Sequence, residues 1–119
     1  MKPRSHKYNA RAEIEQGIRF ASKKEAERYR RLRLLEREGQ ISRLRRQPRY
    51  MLYGLGGQLT LPDKRGNRRR LFYRADFLYF DHTTNRWRVE DVKGMDTQIS
   101  RIKRALVEQA YGIKVEIIK

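Results

Sequence analysis

Three carboxylates and a lysine are the residue types that phosphodiester hydrolysis with a divalent metal ion uses. Asp76 is followed 15 positions later by Asp91, and Lys93 comes two residues further on. Carboxylate oxygens are the ligands that Mg²⁺ and Mn²⁺ prefer, and a lysine can stand beside the attacked phosphate. Glu25 can join them from a predicted helix. These four side chains are the candidate catalytic residues.

The predicted strands around the two aspartates place them on one face of a hairpin. Both strands are rich in aromatic and apolar residues, and a turn-forming segment joins them. If Phe80 pairs with Trp87, counting four residues inward from each brings Asp76 opposite Asp91, at about 5 Å. Period-two alternation then puts Lys93 on the same face as Asp91.

Two like charges opposite each other are destabilising unless something neutralises them. In one interpretation a divalent cation does so, and the cluster is an active site. In the other, Lys93 pairs with Asp91 and Arg74 with Asp76, and the cluster is only structural. The residues themselves leave both interpretations open.

The remaining pattern predicts a mixed α/β fold in the order α-β-β-β-α-β. A first helix begins at the capping box formed by Ser22 and Glu25 and ends before Gly39. A second helix is capped by Asp96 or Thr97 and ends at Gly112. Strands are predicted over 47–55, 71–80, 87–93 and 113–118, the last of them well buried.

Helical periodicity identifies a buried stripe on the first helix and apolar positions at helical spacing on the second. On the first helix the stripe is Glu25, Tyr29, Leu32 and Leu35, and Glu27 faces solvent. On the second helix the recurring apolar positions are Ile99, Ile102, Leu106 and Ala110.

Charge and composition limit the classes of function that are possible for this chain. The 119 residues suit one domain, and 30 Lys and Arg against 14 Asp and Glu leave a net charge of +16, which favours nucleic acid as the partner. The absence of cysteine excludes disulfide scaffolds, thiolate zinc sites and cysteine nucleophiles. No run approaches the roughly 18 apolar residues of a membrane span, and no secretory signal is recognisable. We expect a soluble cytoplasmic protein with no membrane partner and no small-molecule cofactor.

The basic residues define where DNA is expected to bind. Residues 1–19 are interpreted as a mobile basic arm that precedes a single domain over 20–119. The isolated His6 and His82 are interpreted as surface residues. The predicted phosphate contacts of the domain are Lys23, Lys24, Arg45, Arg46, Arg49, Lys64, Arg65, Arg68, Arg69 and Arg70.

Asp76 and Asp91-Val92-Lys93 together resemble the PD-(D/E)XK nuclease signature, with Ala75 where the signature names proline. The longer sequence around these residues resembles a bacteriophage family of small PD-(D/E)XK endonucleases, which are similar in fold to archaeal-type Holliday junction resolvases. The resemblance extends over roughly residues 8–119. The segments that carry it are Gly17–Tyr29, Gln47–Pro48, Ala75–Phe77, Val89–Gly94 and Tyr111–Ile113.

The resemblance implies a PD-(D/E)XK restriction-endonuclease-like core and a role for each candidate residue. Asp76 and Asp91 would be metal ligands, joined by Glu25 as the first-helix acid and by the backbone carbonyl of Val92. Lys93 would be the catalytic lysine. Because Asp91 replaces the commoner glutamate, the neighbouring Glu90 remains an alternative ligand.

The implied activity is that of a Mg²⁺-dependent, structure-selective DNA endonuclease, with Mn²⁺ as a possible substitute. A Holliday junction resolvase would cut four-way junctions with paired symmetric nicks, and the two-fold symmetry of the junction implies a homodimer. If the protein is phage-encoded, it would act in the host cytoplasm. The alternatives are a nuclease of the same fold that acts on other DNA, and a non-catalytic nucleic-acid-binding module.

Overall fold

The computed structural model describes residues 13–15 and 17–119. Two helices and twelve strands occur in this part of the chain. The helices are α1 (Lys23–Arg37) and α2 (Gln98–Tyr111). The strands are β1 (Glu13–Glu15), β2 (Ile18–Phe20), β3 (Ile41–Arg46), β4 (Arg49–Met51), β5 (Tyr53–Gly54), β6 (Gly57–Gln58), β7 (Thr60–Pro62), β8 (Arg68–Arg70), β9 (Phe72–Arg74), β10 (Phe77–Asp81), β11 (Arg86–Val92) and β12 (Val115–Ile118).

A mixed four-stranded sheet is the centre of the fold. Its strand order is β12-β11-β10-β3, with β12 parallel to β11 and the other neighbours antiparallel. Alternate residues of β10 enter two separate cores: Phe77 and Tyr79 pack with α1, whereas Leu78 packs with the cluster that contains Val107 of α2. The two helices therefore lie on opposite faces, which confirms the predicted mixed α/β class.

Helix α1 forms as its sequence predicts. The Ser22 side chain accepts a hydrogen bond from the Glu25 backbone N–H at 3.1 Å, and the chain leaves the helix at Gly39 with φ of +78°. The predicted stripe is buried at Glu25, Tyr29 and Leu32. Leu35 is half-buried against the same core, and Glu27 is exposed.

The predicted strand over 47–55 is divided into β4 and β5 and lies outside the central sheet, whose first strand is β3. The register between β3 and β10 shifts at a β-bulge, where Arg43 has φ of +56°. The bulge inserts one residue, so that Leu44 packs in the α1 core while Arg45 lies opposite Leu78 on the other face. Simple alternation is lost at this point, and the sequence pattern did not reveal the strand.

Residues 49–74 form an excursion of short paired strands between β3 and β10, which we term the wing. Strand β4 pairs with β9, β5 with β6, and β7 with β8, all antiparallel. The predicted basic loop over 62–70 is the end of the β7–β8 hairpin, where Asp63 accepts hydrogen bonds from the backbone N–H groups of Arg65 and Asn67. The predicted continuous strand over 71–80 is broken at Ala75 and Asp76.

The C-terminal elements differ from expectation in what they bury. Thr97 caps α2 and Gly112 ends it with φ of +65°, as predicted. However, of the apolar positions at helical spacing, Ile99 and Ile102 are 68% and 54% exposed, so this spacing does not correspond to a fully buried stripe. Val107 is the buried side chain of α2, which therefore contacts the sheet by a narrower face. Strand β12 lies at the sheet edge, and of its residues only Val115 is buried.

Part of the expected N-terminal arm is structured. Strands β1 and β2 pair antiparallel over residues 13–20, so a mobile arm does not extend to residue 19. Residues 1–12, with His6, lie outside the described residues. No helix in the described part of the chain is long and apolar enough to cross a membrane.

We expect Leu32→Ala to destabilise the protein far more than Leu34→Ala. Leu32 is fully buried in the α1 core and Leu34 is 41% exposed on the same helix. Truncation at the buried position should lower the free energy of unfolding by about 2–5 kcal/mol. At the exposed position the loss should stay below about 1 kcal/mol. Urea unfolding measures both, and equal losses would contradict the packing of α1 on the sheet.

Candidate functional site

The structure brings Asp76 and Asp91 together at one end of the central hairpin. Phe80 and Trp87 are Cα partners, as predicted, but the ladder ends with Phe77 and Glu90, so the predicted direct pairing of Asp76 with Asp91 is not part of it. Asp76 lies in the bend before β10, where its backbone N–H donates to the Glu90 carbonyl at 3.0 Å.

Each aspartate is held by specific donors. An Asp76 carboxylate oxygen, Oδ2, accepts a hydrogen bond from the Val92 backbone N–H at 2.7 Å. The Oδ2 of Asp91 accepts from the Tyr73 hydroxyl, and Lys93 Nζ lies 3.2 Å from the same oxygen. Because Asp91 is only 3% exposed, these two donors provide the polar contacts that water cannot reach it to make. The predicted grouping of both aspartates with Lys93 is therefore present.

Tyr73 connects this pair to a second ion pair. Arg104 of α2 makes a double hydrogen bond to Asp96 at 2.6 and 3.0 Å. The same guanidinium interacts with the Tyr73 hydroxyl, which points at Asp91. Tyr73 and Arg104 were not predicted as site residues. A tyrosine in an aromatic strand and an arginine in a basic helix carry no distinguishing signal in this sequence.

Glu25 faces the aspartates from the first turn of α1. It is 5% exposed, and its Oε1 is buried without a hydrogen bond. Arg46 Nη2 lies 3.7 Å from that oxygen, while the guanidinium packs 4.3 Å from the centre of the Phe20 ring. Half-buried Arg46 is thus engaged by Glu25 and Phe20, and its role as a phosphate contact stays a prediction.

Electrostatics at the site oppose full ionisation of the carboxylates. Burial, together with hydrogen bonding to Asp91, raises the pKa of Asp76 to about 8, although the Val92 N–H lowers it. Burial also raises the pKa of Glu25, against the opposing effect of Arg46. Burial and the bond to Asp91 raise the pKa of Tyr73. The Asp76 carboxyl thus retains a proton near neutral pH unless a cation enters.

The alternative ligand Glu90 lies on the opposite face of β11. It is fully buried, with a double hydrogen bond from Arg28 at 2.7 and 2.5 Å and another from the Tyr79 hydroxyl. These three donors neutralise the carboxylate on the α1 side. Of the structural ion pairs considered, Lys93 with Asp91 is present, whereas Arg74 is exposed and pairs with no carboxylate of residues 17–119.

The donor set suits Mg²⁺ in its chemistry. All candidate ligands are oxygens, and Oε1 of buried Glu25 accepts no hydrogen bond and has only the long 3.7 Å ion pair with Arg46, so it could turn to a metal ion. Within the described ranges, however, no three His, Cys, Asp or Glu side chains already converge as ligands. Asp76 and Asp91 would hold the ion, with Glu25 and the Val92 carbonyl as further oxygens.

The predicted phosphate contacts occupy several surfaces. Lys23 and Lys24 are exposed at the start of α1 next to Glu25. Arg49 packs 4.2 Å from the centre of the Phe72 ring at the base of the wing, and Arg45 is exposed on the face of the sheet opposite α1. The end of the wing carries exposed Lys64, Arg65, Arg68, Arg69 and Arg70.

Fold and site together define a mixed α/β protein in which buried Asp91, half-buried Asp76 and an adjoining lysine lie at one end of the sheet. The chain belongs to the DUF1064 family, whose description is a protein of unknown function and whose model matches residues 5–119. No curated protein matches the chain, and no solved structure matches it.

The raised pKa of Asp76 predicts that the protein loses stability as the pH rises. Between about pH 4 and pH 8 the folded chain holds a proton that the unfolded chain, with an aspartate pKa of 3.8, releases. The free energy of unfolding should therefore fall across this window. In Asp76→Asn this fall should largely disappear.

Urea unfolding in EDTA at pH 5.5 and pH 8 measures the effect. Glu27→Gln, which changes an exposed carboxyl on α1, is the control and should keep the wild-type pH dependence. Identical dependence in wild type and Asp76→Asn would contradict the assignment of the proton to Asp76.

Proposed function

We propose that the protein is a metal-dependent DNA endonuclease of the PD-(D/E)XK type that resolves Holliday junctions. The observation that carries the proposal is the pair of half-buried Asp76 and buried Asp91, with Lys93 Nζ 3.2 Å from Asp91 Oδ2, on a chain of net charge +16. A module that only binds nucleic acid gains nothing from two adjacent carboxylates, since both repel phosphate. An enzyme that binds a cation between them needs both.

The proposed reaction is hydrolysis of a DNA phosphodiester by an in-line water. Bound Mg²⁺, or Mn²⁺ in its place, would polarise the phosphate and stabilise the leaving oxygen. Asp76, Asp91, Glu25 and the Val92 carbonyl would bind the ion. Lys93, fixed by its contact with Asp91, would orient the attacking water and assist its deprotonation.

Hydrogen bonds from neighbouring groups would maintain this geometry between turnovers. The Val92 N–H fixes the Asp76 carboxylate, and the Tyr73 hydroxyl fixes that of Asp91. Arg104, bound to Asp96, in turn interacts with Tyr73. Tyr73 is thus a positioning residue, and such partners commonly contribute about 10–100-fold to metal affinity or activity.

Substrate binding would rest on the basic surfaces around the site. The cations of the wing and those at the start of α1 would contact the phosphate backbone, giving recognition of shape with little direct base readout. The reaction would take place in the cytoplasm, that of the host if the protein is phage-encoded. A nuclease of the same fold acting on ends, nicks or recognition sequences would use the same residues, so the substrate panel decides between them.

The functional test is cleavage of a labelled four-way junction beside linear duplex, single strands and nicked duplex. We expect paired symmetric nicks in the junction with Mg²⁺ or Mn²⁺ and none with EDTA. Cleavage of linear or nicked duplex in preference to the junction would identify the other nuclease. Tight binding without cutting under any metal would favour the binding module.

Matched variants test the assignment of the site. Asp91→Asn should reduce cleavage below detection while junction binding is kept or strengthened. Tyr73→Phe should reduce it about 10–100-fold. Glu25→Gln should impair cleavage, whereas Glu27→Gln, two residues away and exposed, should leave it unchanged. Undiminished cleavage by Asp91→Asn would show that the site lies elsewhere.

A homodimer is part of the proposal because two matched nicks require two active sites. Met95, Ile99 and Ile102, close to the site in sequence, are 79%, 68% and 54% exposed, and burial of such residues favours pairing. Analytical ultracentrifugation should show a dimer that Ile99→Ser/Ile102→Ser converts to a monomer. A double variant that remains dimeric would exclude this surface as the interface.

A further inference from the structure

A second surface, separate from the aspartates, has the chemistry of a nucleic-acid-binding groove. On the face of the sheet opposite α1, an open groove of about 900 Å³ lies between β3, the β10–β11 hairpin and the segment after α2. Its apolar lining includes Leu78, Val89, Tyr50 and Ile113. Helix α2 makes its main contacts with β5 and β9, and the groove opens beside the core cluster that contains Val107.

Unpaired cations surround the groove. Arg43, Arg45, Arg86 and Lys114 line it, all four are exposed, and none forms an ion pair with a carboxylate of the described residues. The acidic residue in the lining, Glu116, forms a salt bridge with Arg88 at 2.8 Å. The groove is therefore strongly positive without an internal counter-charge.

The β-bulge in β3 is what directs two of these cations into the groove. With regular alternation after Ile41, the odd positions of β3 would lie in the apolar core under α1. The extra residue at the bulge instead sends Leu44 to that core and leaves Arg43 and Arg45 on the groove face. Bulges commonly re-aim side chains in this way near functional surfaces.

An exposed aromatic side chain completes the surface. Trp87 lines the groove and is 49% exposed, although its ring packs edge-on against Phe80 with centroids 5.4 Å apart. A large aromatic ring that is fixed in orientation and half accessible, among unpaired arginines, is suited to stacking with a nucleobase. In a duplex the base faces are covered by their neighbours, so this surface selects unpaired bases.

We propose that this groove binds single-stranded nucleic acid, with a base stacked on Trp87 and the phosphates bound by Arg43, Arg45, Arg86 and Lys114. Trp87 and Asp91 lie on the same face of β11, four residues or about 13 Å apart. A strand in the groove would therefore run close to the proposed active site. The inference shares with the proposed function only the assumption that the partner is nucleic acid.

The chain offers a direct probe, because Trp87 is its single tryptophan. We expect a twelve-residue oligo-dT to quench the fluorescence of the wild-type protein in EDTA, where no cleavage occurs, and the quenching to saturate. Raising the salt concentration should weaken the binding steeply. A twelve-base-pair duplex and inorganic polyphosphate, which offer charge without accessible bases, should bind without comparable quenching.

Two double variants distinguish binding in the groove from general electrostatic attraction to the basic chain. Arg45→Ala/Arg86→Ala keeps the fluorescent reporter and should weaken oligo-dT binding at least tenfold. Arg31→Ala/Arg37→Ala removes the same charge from exposed positions on α1 and should change it less than twofold. Trp87→Leu, read by anisotropy of labelled oligo-dT, should also weaken binding about tenfold, with its fold checked by circular dichroism.

The results distinguish this inference from the proposed nuclease activity. Saturable quenching that depends on the groove arginines, without cleavage of any DNA, would support the groove and overturn the nuclease. Junction cleavage together with oligo-dT binding that leaves Trp87 fluorescence unchanged would overturn the groove alone. Equal weakening by both arginine pairs would overturn it as well, since net charge would then explain the binding.

Discussion

The burial of two neighbouring carboxyl groups is the constraint around which this protein is built. Asp91 is buried and Asp76 is half-buried beside it, and the cost of burial, together with hydrogen bonding to Asp91, raises the pKa of Asp76 to about 8. The surrounding donors lessen the cost without removing it: one backbone N–H, one tyrosine hydroxyl and one ammonium group. A structure optimised only for stability would place apolar residues there, since replacing buried ionic groups by well-packed hydrophobes is often stabilising.

The two buried acids of β11, Glu90 and Asp91, lie on opposite faces of the strand and differ in their surroundings. The Glu90 carboxylate accepts hydrogen bonds from Arg28 and Tyr79, so both of its oxygens have partners. Asp91, the next residue, shares its surroundings with two further acids and one lysine. Strand alternation alone separates the two carboxylates by the thickness of the sheet. This difference supports Asp91 over Glu90 as the functional group, a choice that spacing in the sequence had left open.

How much the sequence predicts depends on how local the determining interaction is. The cap at Ser22, the stop at Gly112 and the pairing of Phe80 with Trp87 depend on neighbouring residues, and all three are confirmed. Strand β3 was missed because its bulge disrupts period-two alternation, and that bulge is stabilised by distant packing. The exposure of Ile99 was missed because a helical apolar stripe does not reveal whether the chain itself covers it. Tyr73 reaches Asp91 only through tertiary contact, so spacing carried no sign of it.

The wing leaves and rejoins the sheet at adjacent positions, since Arg46 and Phe77 are Cα partners. The closure entropy of such an excursion grows only slowly with its length, and its internal strands satisfy their own backbone groups. Lengthening or shortening the end of the β7–β8 hairpin would therefore leave the aspartate pair and the sheet register largely undisturbed, whereas exchange of the whole wing would remove Tyr73, whose hydroxyl donates to Asp91. The architecture is modular in this sense: the aspartate pair depends on the central hairpin and its immediate contacts, while the cations at the end of the wing lie on a hairpin that pairs its own backbone.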